Sequence, residues 1–206
     1  SPEVAINYYI NEDTSIYVAY KKAFKSGGID NSALPTASIN PLSPTFEGVD
    51  ALIYDSEEVD GFEIGLKSNL LDNNMRLNAT YYNIEWTGIQ VSQFDPVNIN
   101  LLTFMENAAD ADISGFEADM LWYPTDNWTI AAAISLNNTE IVKDVSQTVP
   151  IVDIGSPLPL SPERQYNIRL RKDISYKDNP AYMQFAYKSA SETYNSFESA
   201  KVLDQP

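Results

Sequence analysis

Along most of this 206-residue chain, apolar side chains return at every second position. Trp128, Ile130, Ala132, Ile134 and Leu136 alternate with Thr129, Ala131, Ala133, Ser135 and Asn137. Phe116, Ala118, Met120 and Trp122 alternate with Glu117 and Asp119, and Tyr166, Ile168 and Leu170 with Asn167, Arg169 and Arg171. Phe62, Ile64 and Leu66, and likewise Ile16, Val18 and Tyr20, follow the same rule. Successive side chains of a strand point to opposite faces, so each segment has one apolar and one polar face. A helical period is almost nowhere present. Turn residues cut the pattern into about eight strands, near residues 4–10, 14–24, 58–69, 74–93, 104–122, 128–144, 162–175 and 181–196.

Two classes of connection alternate. The short ones, Asn11-Glu12-Asp13, Leu71-Asp72-Asn73-Asn74, Pro124-Thr125-Asp126-Asn127 and Lys177-Asp178-Asn179-Pro180, carry the Asp, Asn and Pro that tight turns need. The long ones run near 25–57, 95–103 and 145–159. Short turns at one end and long loops at the other fit an up-and-down meander whose ends face different surroundings. The arms Met75–Gln93 and Phe104–Trp122 approach 20 residues, about 60 Å at ~3.3 Å per residue, where strands of soluble domains usually hold about 3–10 residues. A membrane needs only about 9–11 tilted residues, so such arms would cross one and project beyond. Trp122, Tyr123 and Trp128 flank a short turn, where a membrane-interface girdle would sit; the same rings would equally cap a soluble β core. The alternation switches after Tyr82, where Ile84 and Trp86 take the parity held by Arg76 and Asn78. A β-bulge, or passage out of the membrane zone, would each produce that switch.

The stretch from Ser15 to Asp30, with Lys21, Lys22, Ser26, Gly27 and Gly28, resembles an early barrel segment of the TonB-dependent outer-membrane receptors. Gly61–Lys67, Leu77–Asn83 with Gly88–Val91, Glu106–Glu117, and Leu160–Arg164 resemble further segments in the family's order. The chain departs at Asn107-Ala108-Ala109, where the family has Asn-Ala-Gly, and at Arg164, where it has His. The resemblance implies an all-β fold, an antiparallel up-and-down transmembrane β-barrel segment with short periplasmic turns and long extracellular loops. Residues 1–206 would be part of one such barrel, with the plug domain, the TonB box and further strands lying elsewhere. Position 1 is Ser rather than Met, and no charged-then-apolar leader follows; Ser1 reads as an internal or processed position.

Composition narrows the chemistry. With 13 Lys+Arg against 29 Asp+Glu the net charge is 13 − 29 = −16, which opposes general nucleic-acid binding. There is no Cys and no His, which removes thiolate nucleophiles, Ser-His-Asp triads and imidazole metal ligands. No apolar run approaches the ~18 residues of a membrane helix. The neighbouring carboxylates Asp110/Asp112 and Glu57/Glu58 do not form the facing pair that glycoside hydrolysis needs. Asp30, Asp50 or Asp110/Asp112 could offer oxygens to calcium, but no Asp-x-Asp-x-Asp-Gly loop occurs. Ser26-Gly27-Gly28 lacks the rest of a phosphate loop. No catalytic residue, metal site or cofactor is expected.

On the receptor reading, the polar parity would line a hydrated interior against the plug: Glu63, Lys67, Arg76, Glu117, Asp119, Arg169 and Arg171. The longest loop would supply ligand contacts, with Asp30, Asn31, Phe46 and Tyr54 as candidates. The implied function is uptake of a scarce nutrient (siderophore, cobalamin or oligosaccharide) in the bacterial outer membrane. Its partners would be outer-membrane lipid, the plug, TonB acting through the plug, and the small ligand. The alternatives are a plug-less porin and a soluble extracellular glycan-binding β-sandwich.

Overall fold

A computed structural model describes residues 1–30, 53–94, 103–146 and 152–197. In chain order its strands are β1 (Glu3–Tyr9), β2 (Thr14–Lys25), β3 (Gly28–Ile29), β4 (Ile53–Tyr54), β5 (Glu57–Leu70), β6 (Met75–Phe94), β7 (Thr103–Thr125), β8 (Trp128–Asp144), β9 (Arg164–Tyr176) and β10 (Asn179–Ala190). Eight of them form one sheet in the order β1-β2-β5-β6-β7-β8-β9-β10, every pair antiparallel, while β3 and β4 make a two-residue ladder of their own. The sheet is an open meander in which β1 and β10 each have a single neighbour. No second large sheet packs on it among the described residues, so a sandwich core is missing.

The turns explain the tight ends. Lys177 and Asp178 hold φ of 49° and 64°, the left-handed pair of a two-residue hairpin whose twist matches its strands. Asn179 and Pro180 therefore lie inside β10 and not in the turn. Pro180, the second residue of β10, stands opposite Ser175. Asp126 and Asn127 alone form the turn between β7 and β8. The last strand stops at Ala190, not near 196. Beyond it the chain leaves the ladder, and the Leu160 N–H donates to the Tyr194 carbonyl at 2.8 Å.

Register fixes the faces. Residues directly opposite one another share a face, and Val18, Ile64, Tyr81, Phe116 and Leu136 stand in one row across five strands. On the other face Lys67, Asn78, Asp119, Ala133, Asn167 and Lys188 form a row across six. The apolar parity of β6 runs from Met75 to Tyr81, about 20 Å at ~3.3 Å per residue, near the ~25 Å apolar belt of membrane barrels. The belt is uncovered: Ile6 is 69% exposed and Phe185 59% exposed. It ends at a row of Lys22, Asp60, Glu85, Asp112 and Glu140. Lys22 lies 2.7 Å from Glu58, and that carboxylate raises the lysine pKa above its ordinary value.

Of the two explanations for the switch after Tyr82, the register selects one. Pairing is continuous from Met75 through Trp86 on the β7 side, and the first break falls between Trp86 and Ile89. The backbone parity is unchanged through Trp86; over that stretch it is the surroundings that change. Above the belt the outward positions of β6 become Asn83, Glu85 and Thr87, and the inward ones become apolar. There Ile89, Ala109, Ala111, Ile141, Val152 and Leu158 form the buried core, with Trp86, Ile113 and Phe197 packed against it. The expected long loop after β8 supplies part of that core. β9 pairs with β8 only as far as Leu136. Further along, the Ile141 N–H donates to the Ser156 carbonyl (2.9 Å) and the Gly155 N–H to the Ile141 carbonyl (2.8 Å).

Candidate functional site

The polar face has two zones. The lower one, level with the apolar belt, is a trough of about 590 Å³ lined by Asn78, Thr80, Glu117, Asp119, Ser135 and Gln165. Its side chains are linked across strands. Asn78 Nδ2 donates to both carboxylate oxygens of Asp119 (3.2 and 3.0 Å). Ser135 Oγ donates to Glu117 (3.3 Å), and Tyr17 and Thr80 hydroxyls share a hydrogen bond of 3.1 Å. Lys67 stands 5.2 Å over the Tyr17 ring. Arg171 lies 4.1 Å over Tyr182 and holds Asp173 at 2.8 Å. Two glycines make room for these rings. A Cβ on Gly65 would fall 2.1 Å from the Tyr17 ring, and one on Gly115 would fall 2.3 Å from the Tyr82 hydroxyl.

The upper zone is a recess of about 580 Å³ whose walls include Trp86, Ile113, Leu158 and Phe197, with Lys25 and Glu57 at its rim. The Glu57 carboxylate accepts the Gln90 N–H (2.8 Å) and faces Lys25 at 3.8 Å. The Trp86 indole N–H is buried and has no hydrogen-bond partner among the described residues. An unsatisfied buried donor is costly, and an acceptor brought to it by a bound ligand would lower that cost.

The register places all seven expected lumen residues, Glu63, Lys67, Arg76, Glu117, Asp119, Arg169 and Arg171, on one face. Of the girdle, Trp122 and Trp128 share the apolar parity, and Lys172 stands 5.3 Å over the Trp128 ring; Tyr123 follows Trp122 and takes the other parity. Of the loop candidates, Tyr54 stands opposite Gly28 in the β3–β4 ladder, and Asp30 directly follows that ladder in the chain. Asp30 accepts the Met105 N–H at 2.6 Å. Asn31 and Phe46 lie outside the described residues. Asp110 sits on β7, accepting the Gly88 N–H (2.8 Å) and facing Lys143 (3.6 Å). Sequence reasoning missed Trp86, Phe197 and Glu57 as a group. The only signal was the parity switch at Trp86, since Phe197 and Leu158 arrive through long-range packing.

An uncovered apolar belt, a hydrogen-bonded polar face and tight turns at one end define a stretch of membrane β-barrel wall. Residues 1–204 match the family described as TonB dependent receptor-like, beta-barrel, and the chain belongs to that family. It is 29% identical over 142 residues to a probable TonB-dependent siderophore receptor, PiuA, of Acinetobacter baumannii, covering 69% of this chain and 17% of that one. In fold it is similar to the ferric yersiniabactin uptake receptor FyuA of Yersinia pestis (TM-score 0.72, 14% identity, 96% of this chain and 26% of that one). It is also similar to BauA, the ferric preacinetobactin receptor of Acinetobacter baumannii (TM-score 0.67, 18% identity, 97% and 26%). The chain thus spans about a sixth of the curated relative and a quarter of these structures. The family is one of transport receptors in the outer membrane of Gram-negative bacteria, and that membrane is where this wall belongs.

Proposed function

We propose that this chain forms part of the wall of a receptor that takes up a scarce nutrient, a ferric siderophore first among the candidates. The observation that carries the reading is the vertical order of one face: a polar trough level with the apolar belt, and above it an apolar recess lined by Trp86, whose indole donor has no partner among the described residues. The recess would capture ligand, with Asp30 and Tyr54 at the base of the adjoining loop and Asn31 and Phe46 further along it. The trough residues Glu63, Lys67, Arg76, Glu117, Asp119, Arg169 and Arg171 would face a hydrated lumen and hydrogen-bond the plug of the same receptor. TonB would act through that plug, and Trp122 and Trp128 would meet lipid headgroups at the short-turn end. Residues 1–206 belong on this reading to one barrel domain. The wall performs no reaction; its chemistry is binding and passage.

The test is radiolabelled-iron uptake by cells whose sole receptor of this type is the full-length protein, supplied with a panel of ferric siderophores. Uptake of at least one that disappears without TonB is the expected result. Binding of none of them, or uptake indifferent to TonB, would overturn the proposal.

A further inference from the structure

Above the belt, the corner between β4 and β5 is fastened to the wall by side chains where a backbone ladder would be expected. The Asp55 N–H donates to Asn107 Oδ1 (2.7 Å), and Asn107 Nδ2 donates back to the Asp55 carbonyl (3.1 Å). The amide of Asn107 thereby imitates a strand partner, offering one acceptor and one donor to a single residue. Its Nδ2 also reaches the Gly88 carbonyl (2.6 Å). Gln90, opposite Asn107 in the register, donates from Nε2 to the carbonyls of Asp55 (2.9 Å) and Ser26 (3.1 Å). Its backbone N–H binds Glu57, which stands on the recess rim with Lys25. Two carboxamides therefore tie Ser26 and Asp55 to β6 and β7, and the Gln90 backbone N–H adds Glu57.

We infer that Asn107, supported by Gln90, is a latch that positions the rim of the recess by holding residues 55–57 against the wall. The latch itself follows from the hydrogen bonds; its bearing on ligand capture rests on the reading of the recess given above. Only a group that both donates and accepts can close the Asn107–Asp55 ring. A carboxylate at that position accepts the Asp55 N–H but repels the Asp55 and Gly88 carbonyl oxygens. A protonated carboxylic acid supplies the missing donor. In an N107D variant those carbonyls favour the neutral acid, so its pKa rises in the latched state. The latch is then present at low pH and lost as pH rises through that value.

The test is amide hydrogen exchange of the full-length receptor in detergent, read on peptides covering residues 53–57 and corrected for intrinsic rates. Asn107→Asp at pH 8 should exchange there at least tenfold faster than the parent, and the gap should close near pH 4. No gap at pH 8 would overturn the latch, and a gap that persists unchanged at pH 4 would overturn the donor–acceptor assignment. Gln90→Leu, which removes the second carboxamide, should accelerate the same peptides at both pH values. Should Asn107→Asp fail to assemble, this second variant decides alone, and parent-like exchange in it would overturn the proposal. None of these readouts needs a ligand, so the latch can fail or stand independently of the uptake reading.

Discussion

At Gly88 the backbone holds φ at +65°, and a Cβ there would meet the Ser56 carbonyl oxygen at 3.1 Å and Asn107 Nδ2 at 3.2 Å. Side chains adopt this left-handed region at a cost of about 1–2 kcal/mol, and here the neighbours must also give way. Gly88→Ala should lower the stability of the folded receptor by about 1–3 kcal/mol, read from the urea midpoint, with exchange of residues 55–57 accelerated first. Trp86 makes the opposite kind of prediction. Its indole N–H has no partner among the described residues, so Trp86→Phe keeps an aromatic ring there and removes a donor that the described fold does not use. Stability should stay close to the parent's, while ligand capture weakens by about tenfold, the worth of one hydrogen bond of roughly 1.4 kcal/mol. Unchanged affinity for a siderophore that the parent binds would remove Trp86 from the site. Neither residue's role was legible in the sequence. Gly88 stood out only as part of a family-like stretch, and Trp86 only as an apolar residue on the wrong parity.

At the level of the strand, the alternation carries nearly all the information. Ile134 and Ser135 are neighbours in β8 and face opposite ways. Ile134 stands beside Ala118 and Tyr166 in the apolar belt, whereas Ser135 donates to Glu117 in the trough. Ile134→Arg should destabilise the full-length barrel in a bilayer by about 2–4 kcal/mol. Ser135→Arg, one residue on, should change stability by less than about 1 kcal/mol, because the new cation meets Glu117 in a hydrated trough. Equal losses in urea titrations of the two would contradict the assignment of faces. Strand positions were readable because period 2 is a local property of the chain. The end of β10 and the course of residues 152–160 were not. Both depend on where β9 stops pairing with β8, after Leu136, which no local pattern announces.

On the scale of the whole sheet, β1 and β10 each present one unpaired edge, and the belt between them exposes Val18, Ile64, Tyr81 and Phe116 to whatever lies outside. Such edges and patches drive association in water. Residues 1–206 expressed alone should sediment as aggregates without detergent and require a micelle to remain dispersed. A monodisperse, detergent-free monomer in light scattering would contradict the membrane reading. The charge of −16 is compatible with this surface because of where it lies. The row Asp60, Glu85, Asp112 and Glu140 borders the belt without entering it, and Glu117 and Asp119 face the trough.

By itself the sequence determined the all-β class, the strand positions, the division into two faces and the family, since each depends on neighbours along the chain. What only the tertiary structure decided is what happens above the belt. The change after Tyr82 is a change of surroundings and not of register. The apolar residues that turn inward there gain a core from a loop that follows β8, and the carboxamides of Gln90 and Asn107 hold a corner that precedes β5. The two carboxamides reach Asp55 across 35 and 52 positions of the chain, and side chains that meet through a fold leave no periodicity in the sequence that encodes it.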